Sequence, residues 1–104
     1  MNSINFKLVT VICEPVLNSR ILELSQELGA TGFTITEVKG QGNSEKNSGE
    51  IPDSKLKIEI VLEPEVAAKL MKSLADSYFK NYSVITYASD ISILRPEKFE
   101  TEKP

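Results

Sequence analysis

The stretch Gly29-Ala30-Thr31-Gly32-Phe33-Thr34-Ile35-Thr36-Glu37-Val38-Lys39-Gly40-Gln41-Gly42 decides the fold. It opens with a glycine directly after an apolar stripe at helical spacing, Leu17, Ile21, Leu24 and Leu28. A glycine in that place stops a helix, so a helix is predicted over 17–28. Phe33 to Val38 is rich in aromatic and β-branched residues and reads as a strand. Gly40 and Gly42 then begin a run to Ser54 that holds a further glycine, a proline, two asparagines and several charges. That composition predicts a mobile loop rather than a tight turn. It is long for a hairpin in a compact domain, and loops of such length usually carry function.

Working outward, residues 5–12 form a first strand, bounded by Pro15. Residues 56–62 alternate Leu56, Ile58, Ile60 and Leu62 with Lys57, Glu59 and Val61, the period of a half-buried strand. Pro64 suits the first position of a second helix, whose stripe is Val66, Leu70, Leu74 and Tyr78. Residues 83–88 give a fourth strand, and 90–94 a short fifth. The expected organisation is one domain over 1–95, with the loop 40–54, and a polar, mobile tail over 96–104. The order is strand-helix-strand-strand-helix-strand. That is an α+β, ferredoxin-like βαββαβ fold, with two helices on one face of an antiparallel sheet. The other face is left uncovered. It is expected to carry Val61 beside Lys57 and Glu59, and Val9 and Val11 of the first strand. A partly apolar face with free sheet edges invites self-association.

The 104 residues suffice for one domain. A hydrophobic fraction of 40% and a charged fraction of 26% are ordinary for a globular chain. A net charge of -3 argues against a nucleic-acid or anionic-membrane surface. Arg20 and Arg95 are the only arginines, enough for one small phosphate ligand. There is no histidine, which excludes a His-based triad or a His general base. Cys13 is the only cysteine, so no disulfide forms within the chain. With neither a signal peptide nor a membrane span in view, a cytoplasmic protein is expected.

The stretch Gly29–Gly42 resembles the signature of the nitrogen-regulatory PII proteins, and Lys55–Leu62 resembles their following strand. The second half departs from the nitrogen regulators, because their glycine-rich phosphate loop after the second helix has no counterpart. Tyr78–Asp90 and Ile93–Phe99 are instead similar to the bicarbonate-linked branch: the SbtB proteins of cyanobacteria and the carboxysome-associated PII-like proteins. The likeness covers residues 6–99. It implies a homotrimeric signalling protein, not an enzyme, that binds an adenine nucleotide (ADP, AMP, ATP or cyclic AMP), with bicarbonate as a second ligand, in clefts between subunits. The nucleotide is an effector, and no cofactor is implied. The implied partner is a membrane bicarbonate transporter or a carboxysome protein. Thr34 and Val61 match the family's adenine-holding positions, Gly40 and Gly42 the glycines at the loop base, and Arg95 a basic residue facing the ligand. Some SbtB proteins end in a cysteine-bearing loop, which this chain lacks, and the loop has no tyrosine to modify.

The chemistry of these residues suits that role. Glycines at 40 and 42, with Gln41 between them, let backbone N–H groups approach a phosphate with no Cβ in the way. The Arg95 guanidinium is a rigid fork of donors. Tyr87 either lines the adenine cleft or packs in the sheet. Lys39 and Asn43 are further donors near the loop, although Lys39 also reads as a solvated strand residue. Cys13 reads as a small buried hydrophobe. Ordering the loop costs roughly 1 kcal/mol per residue, so a micromolar ligand worth about 8 kcal/mol fixes only part of it. Two other readings share the fold. One is a trimeric CutA-type small-ligand module. The other is an acylphosphatase, which needs an arginine in the loop after the first strand, where this chain reads Ile12–Leu17.

Overall fold

The computed structural model describes residues 5–40 and 53–100. Four strands, β1 (Phe6–Cys13), β2 (Thr34–Gly40), β3 (Asp53–Leu62) and β4 (Ile85–Ile91), form one antiparallel sheet in the order β2-β3-β1-β4. Two helices, α1 (Asn18–Glu27) and α2 (Pro64–Tyr78), complete the βαββαβ order. A 3-10 turn over Pro15–Leu17 leads into α1.

Local chemistry sets the helix ends. Gly29 takes φ 105°, a left-handed value that disfavours any side chain. Its N–H donates to the Gln26 carbonyl at 3.0 Å, and the Ala30 N–H to the Ser25 carbonyl at 2.9 Å. Those two bonds are the Schellman pattern, and they satisfy carbonyls that the last helical turn leaves open. Pro64 opens α2, and the Ala67 N–H closes the first turn on the Glu63 carbonyl at 2.9 Å.

The core lies between the helices and one face of the two central strands. Val9, Val11 and Cys13 of β1 and Ile58, Ile60 and Leu62 of β3 pack with Leu17, Ile21, Ala67, Leu70 and Leu74. All are buried. The expectation that Val9 and Val11 lie on the uncovered face is therefore corrected. Val9 pairs with Ile60 and Val11 with Ile58, which puts them under the helices. Leu8, Thr10 and Ile12 take the uncovered face, opposite Val61, Glu59 and Lys57. The physical reason is that β1 is apolar in both of its phases, so alternation alone does not say which phase faces the helices.

The region after β4 also differs from expectation. Asp90 and Ile91 extend β4, and no fifth strand forms within 90–94. From Pro96 the chain does not leave the fold at once. Pro96–Lys98 make a 3-10 turn, and the Phe99 ring meets the buried Phe6 ring edge-on, with centroids 6.3 Å apart. An aromatic partner on Phe6 outweighs the polar composition around it. The interior of the loop, 41–52, lies outside the described residues.

Candidate functional site

Among the described residues, the predicted site residues Thr34, Gly40, Val61 and Tyr87 fall on the uncovered face, and Arg95 follows β4 at one end of it. Strand pairing orders that face into rows. One row runs Thr34, Glu59, Thr10, Tyr87 across all four strands. The next runs Thr36, Lys57, Ile12, Ile85. Val61 lies two residues beyond Glu59, opposite Leu8, and so is a diagonal neighbour of Thr34.

Call the end of the sheet holding the starts of β1 and β2 the near end, and the other the far end. Thr34 and Val61 lie at the near end. Arg95 lies there too, because it follows β4, which ends opposite Phe6. The turn beginning at Pro96 is tied back to the segment before β2, where the Thr31 hydroxyl donates to the Lys98 carbonyl at 2.7 Å.

Gly40 does not join them. It closes β2 opposite Asp53, six residues from Thr34, or roughly 20 Å along an extended strand. A Cβ at Gly40 would meet nothing within 4 Å, so this chain's own packing does not require a glycine there. Tyr87 shares the face with Thr34 but stands on the opposite edge strand. Gln41 and Gly42, like Asn43, lie outside the described residues. Lys39 is exposed and falls in the opposite phase of β2, with Ile35 and Glu37, away from the rows above.

Two charged residues on this face are more covered than the sequence reading implied. Glu59 stands between Thr34 and Thr10 in their row and is half-buried. Alternation placed it on the uncovered face, and the register puts it beside Thr34. Lys55 is 8% exposed, opposite Val38 on the same face, a burial unusual for a lysine. Its charge reaches Cys13. Burial pushes the Cys13 thiol up from its ordinary value and Glu14 adds to this, while Lys55 pulls the other way.

A cleft of about 390 Å³ opens beside the end of α1, lined by Gln26, Glu27, Gly29, Ala30 and Thr31. It contains none of the predicted site residues. Among the described residues, no group of three His, Cys, Asp or Glu side chains is placed to hold a metal ion. Among them, too, no helix is long and apolar enough to cross a membrane.

Along the β4 edge the uncovered face presents apolar side chains. Ile85 and Tyr87 are each about half exposed, at 53% and 47%. The chain matches the nitrogen regulatory protein P-II family over residues 6–98. It belongs to that family. The P-II match takes in both helices, all four strands and the turn at Pro96–Lys98. A structure described as that of a PII-like signalling protein from Thermus thermophilus is 33% identical, with a TM-score of 0.79. That alignment covers 95% of this chain and 99% of the other. CPII from Thiomonas intermedia, solved with ADP, AMP and acetate, superposes with a TM-score of 0.82 at 22% identity. It covers 97% of this chain and 100% of that one. CPII solved with ADP and bicarbonate gives 0.77 at 22% identity, over 91% and 94% of the two chains. The chain is thus a PII-like signalling protein by family, with the P-II fold along nearly its whole length.

Proposed function

We propose that this PII-like protein binds an adenine nucleotide in clefts between the subunits of a homotrimer, with bicarbonate as a second ligand. The observation that carries the reading is the separation of the site residues. Thr34, Val61 and Arg95 gather at the near end, while Gly40 sits at the far end and Tyr87 on the opposite edge. No single mononucleotide reaches all of them on one chain. A neighbouring copy laid against the uncovered face brings its own set, so a site made of two partial sets becomes complete. The half-exposed Ile85 and Tyr87 supply apolar area for that contact. The CPII structures with ADP, AMP and bicarbonate supply the ligand chemistry.

In this reading Thr34 and Val61 hold the base, while Gly40, Gln41, Gly42 and Arg95 receive the phosphates. Tyr87 closes the cleft from the adjoining copy. The nucleotide is an effector, and no reaction is assigned to it. A cytoplasmic trimer of this kind would report adenine-nucleotide and inorganic-carbon status to a bicarbonate transporter or carboxysome component, as in the SbtB branch.

Calorimetry with AMP, ADP, ATP and cyclic AMP, each with and without bicarbonate, tests the proposal beside a solution mass by light scattering. A trimer with one saturable micromolar site per chain is expected, with affinity changed by bicarbonate. A monomer, or no binding of any nucleotide, overturns it.

A further inference from the structure

The chain after β4 forms a strap across the near end of the sheet, pinned along a short span. The Lys98 N–H donates to the Arg95 carbonyl at 3.1 Å and the Phe99 N–H to the Pro96 carbonyl at 3.0 Å, which closes the turn. The Thr31 hydroxyl then holds the Lys98 carbonyl from the segment leading into β2. The Phe99 ring rests edge-on against Phe6, which is fully buried at the start of β1. The strap thus begins at edge strand β4, crosses beside β1 and is fastened just ahead of the other edge strand, β2. Arg95 stands at its head, and Thr34 lies three residues beyond its fastening point.

We infer that Thr31 and Phe99 are positioning residues: they fasten this strap so that Arg95 is held in place to receive the phosphate of a bound adenine nucleotide. The inference rests on the nucleotide reading above. An arginine on an untethered segment loses conformational freedom each time it grips an anion, and prior fastening removes part of that loss from the binding step. The side chain of Thr31 is exposed and is not part of the packed core, so its hydroxyl contributes little else to the fold.

The test is ADP affinity, with adenosine as the phosphate-free probe, for the wild type, Thr31→Val, Thr31→Ser, Phe99→Ala, Arg95→Ala and the double variant Thr31→Val/Arg95→Ala. Thr31→Val is expected to weaken ADP by about three- to tenfold, the scale of one lost hydrogen bond, and to leave adenosine unchanged. Phe99→Ala should do the same, and Thr31→Ser should keep wild-type affinity. In the Arg95→Ala background Thr31→Val should add nothing, because the two act through one contact. Equal ADP affinity in Thr31→Val and the wild type overturns the inference and leaves the nucleotide site standing. Equal losses for ADP and adenosine also overturn it, because the strap would then only support the fold. A wild type that binds no nucleotide overturns both readings, and is told apart by the control alone.

Discussion

Thr34 and Tyr87 stand in one transverse row on the same face of the sheet, at its two opposite edges. Three strand-to-strand steps separate them, roughly 14 Å. In the proposed trimer, they would meet one nucleotide from different copies. Thr34→Val and Tyr87→Ala should each weaken ADP binding, by about tenfold for a buried contact of 1.4 kcal/mol. Co-expressing the two variants should restore tight binding at about a quarter of the sites in a closed ring, where an intact Thr34 meets an intact Tyr87. A titration showing no tight class in the mixture would place both residues in a one-chain site.

Gly40→Ala separates fold from ligand. The new methyl would enter open space, and the backbone there is not left-handed. Stability should stay within about 0.5 kcal/mol of wild type in urea unfolding. On the proposed site, ADP affinity should fall, because the methyl would stand where the phosphate is proposed to approach the loop base. A wild-type affinity would show that this glycine serves no ligand.

Gly29→Ala should do the reverse. Its φ of 105° forces the new Cβ toward a carbonyl oxygen, at about 1–2 kcal/mol. Thermal unfolding should shift down by several degrees, and ADP affinity, read well below that temperature, should hold.

Cys13 predicts a pH dependence. Its thiol is raised chiefly by burial, so the unfolded chain loses the proton at lower pH than the folded one. The folded state then binds more protons in that window, and stability falls as pH rises. The advantage of wild type over Cys13→Ala should be full at pH 7 and shrink above about pH 8.5, where a free thiol ionises. Urea unfolding of both proteins from about pH 7 to about pH 10 measures it. A constant difference would mean that the thiol does not titrate differently in the two states.

Element type and order were legible in the sequence because each signal was local. The stripe from Leu17 to Leu28, the stop at Gly29 and the proline at 64 all act within a turn or two. The facing of β1 was not legible. Both of its phases are apolar, and only the pairing of Val9 with Ile60 and Val11 with Ile58 decides between them. The strap was hidden for a similar reason, since Phe99 sits in a polar run and its partner Phe6 lies at the far end of the chain sequence. Thr34 and Val61 carried a likeness to the family's adenine-holding positions, and the register makes them diagonal neighbours on one face. The burial of Glu59 and Lys55 was not legible because alternating charges on a strand look the same whether they meet solvent or are covered.

The strand order has a consequence for how the chain assembles. β1 is central, between β3 and β4, yet its partners arrive late: Lys7 waits for Leu62, and Ile12 for Ile85. The β2–β3 pair, joined through a single loop, is the sheet's nearest contact in sequence. During synthesis the first strand therefore leaves the ribosome with both hydrogen-bonding edges unsatisfied, and it stays so until β3 has followed. Such non-local pairing makes folding slow for a domain of this size. It also exposes an apolar strand to neighbouring nascent chains while it waits.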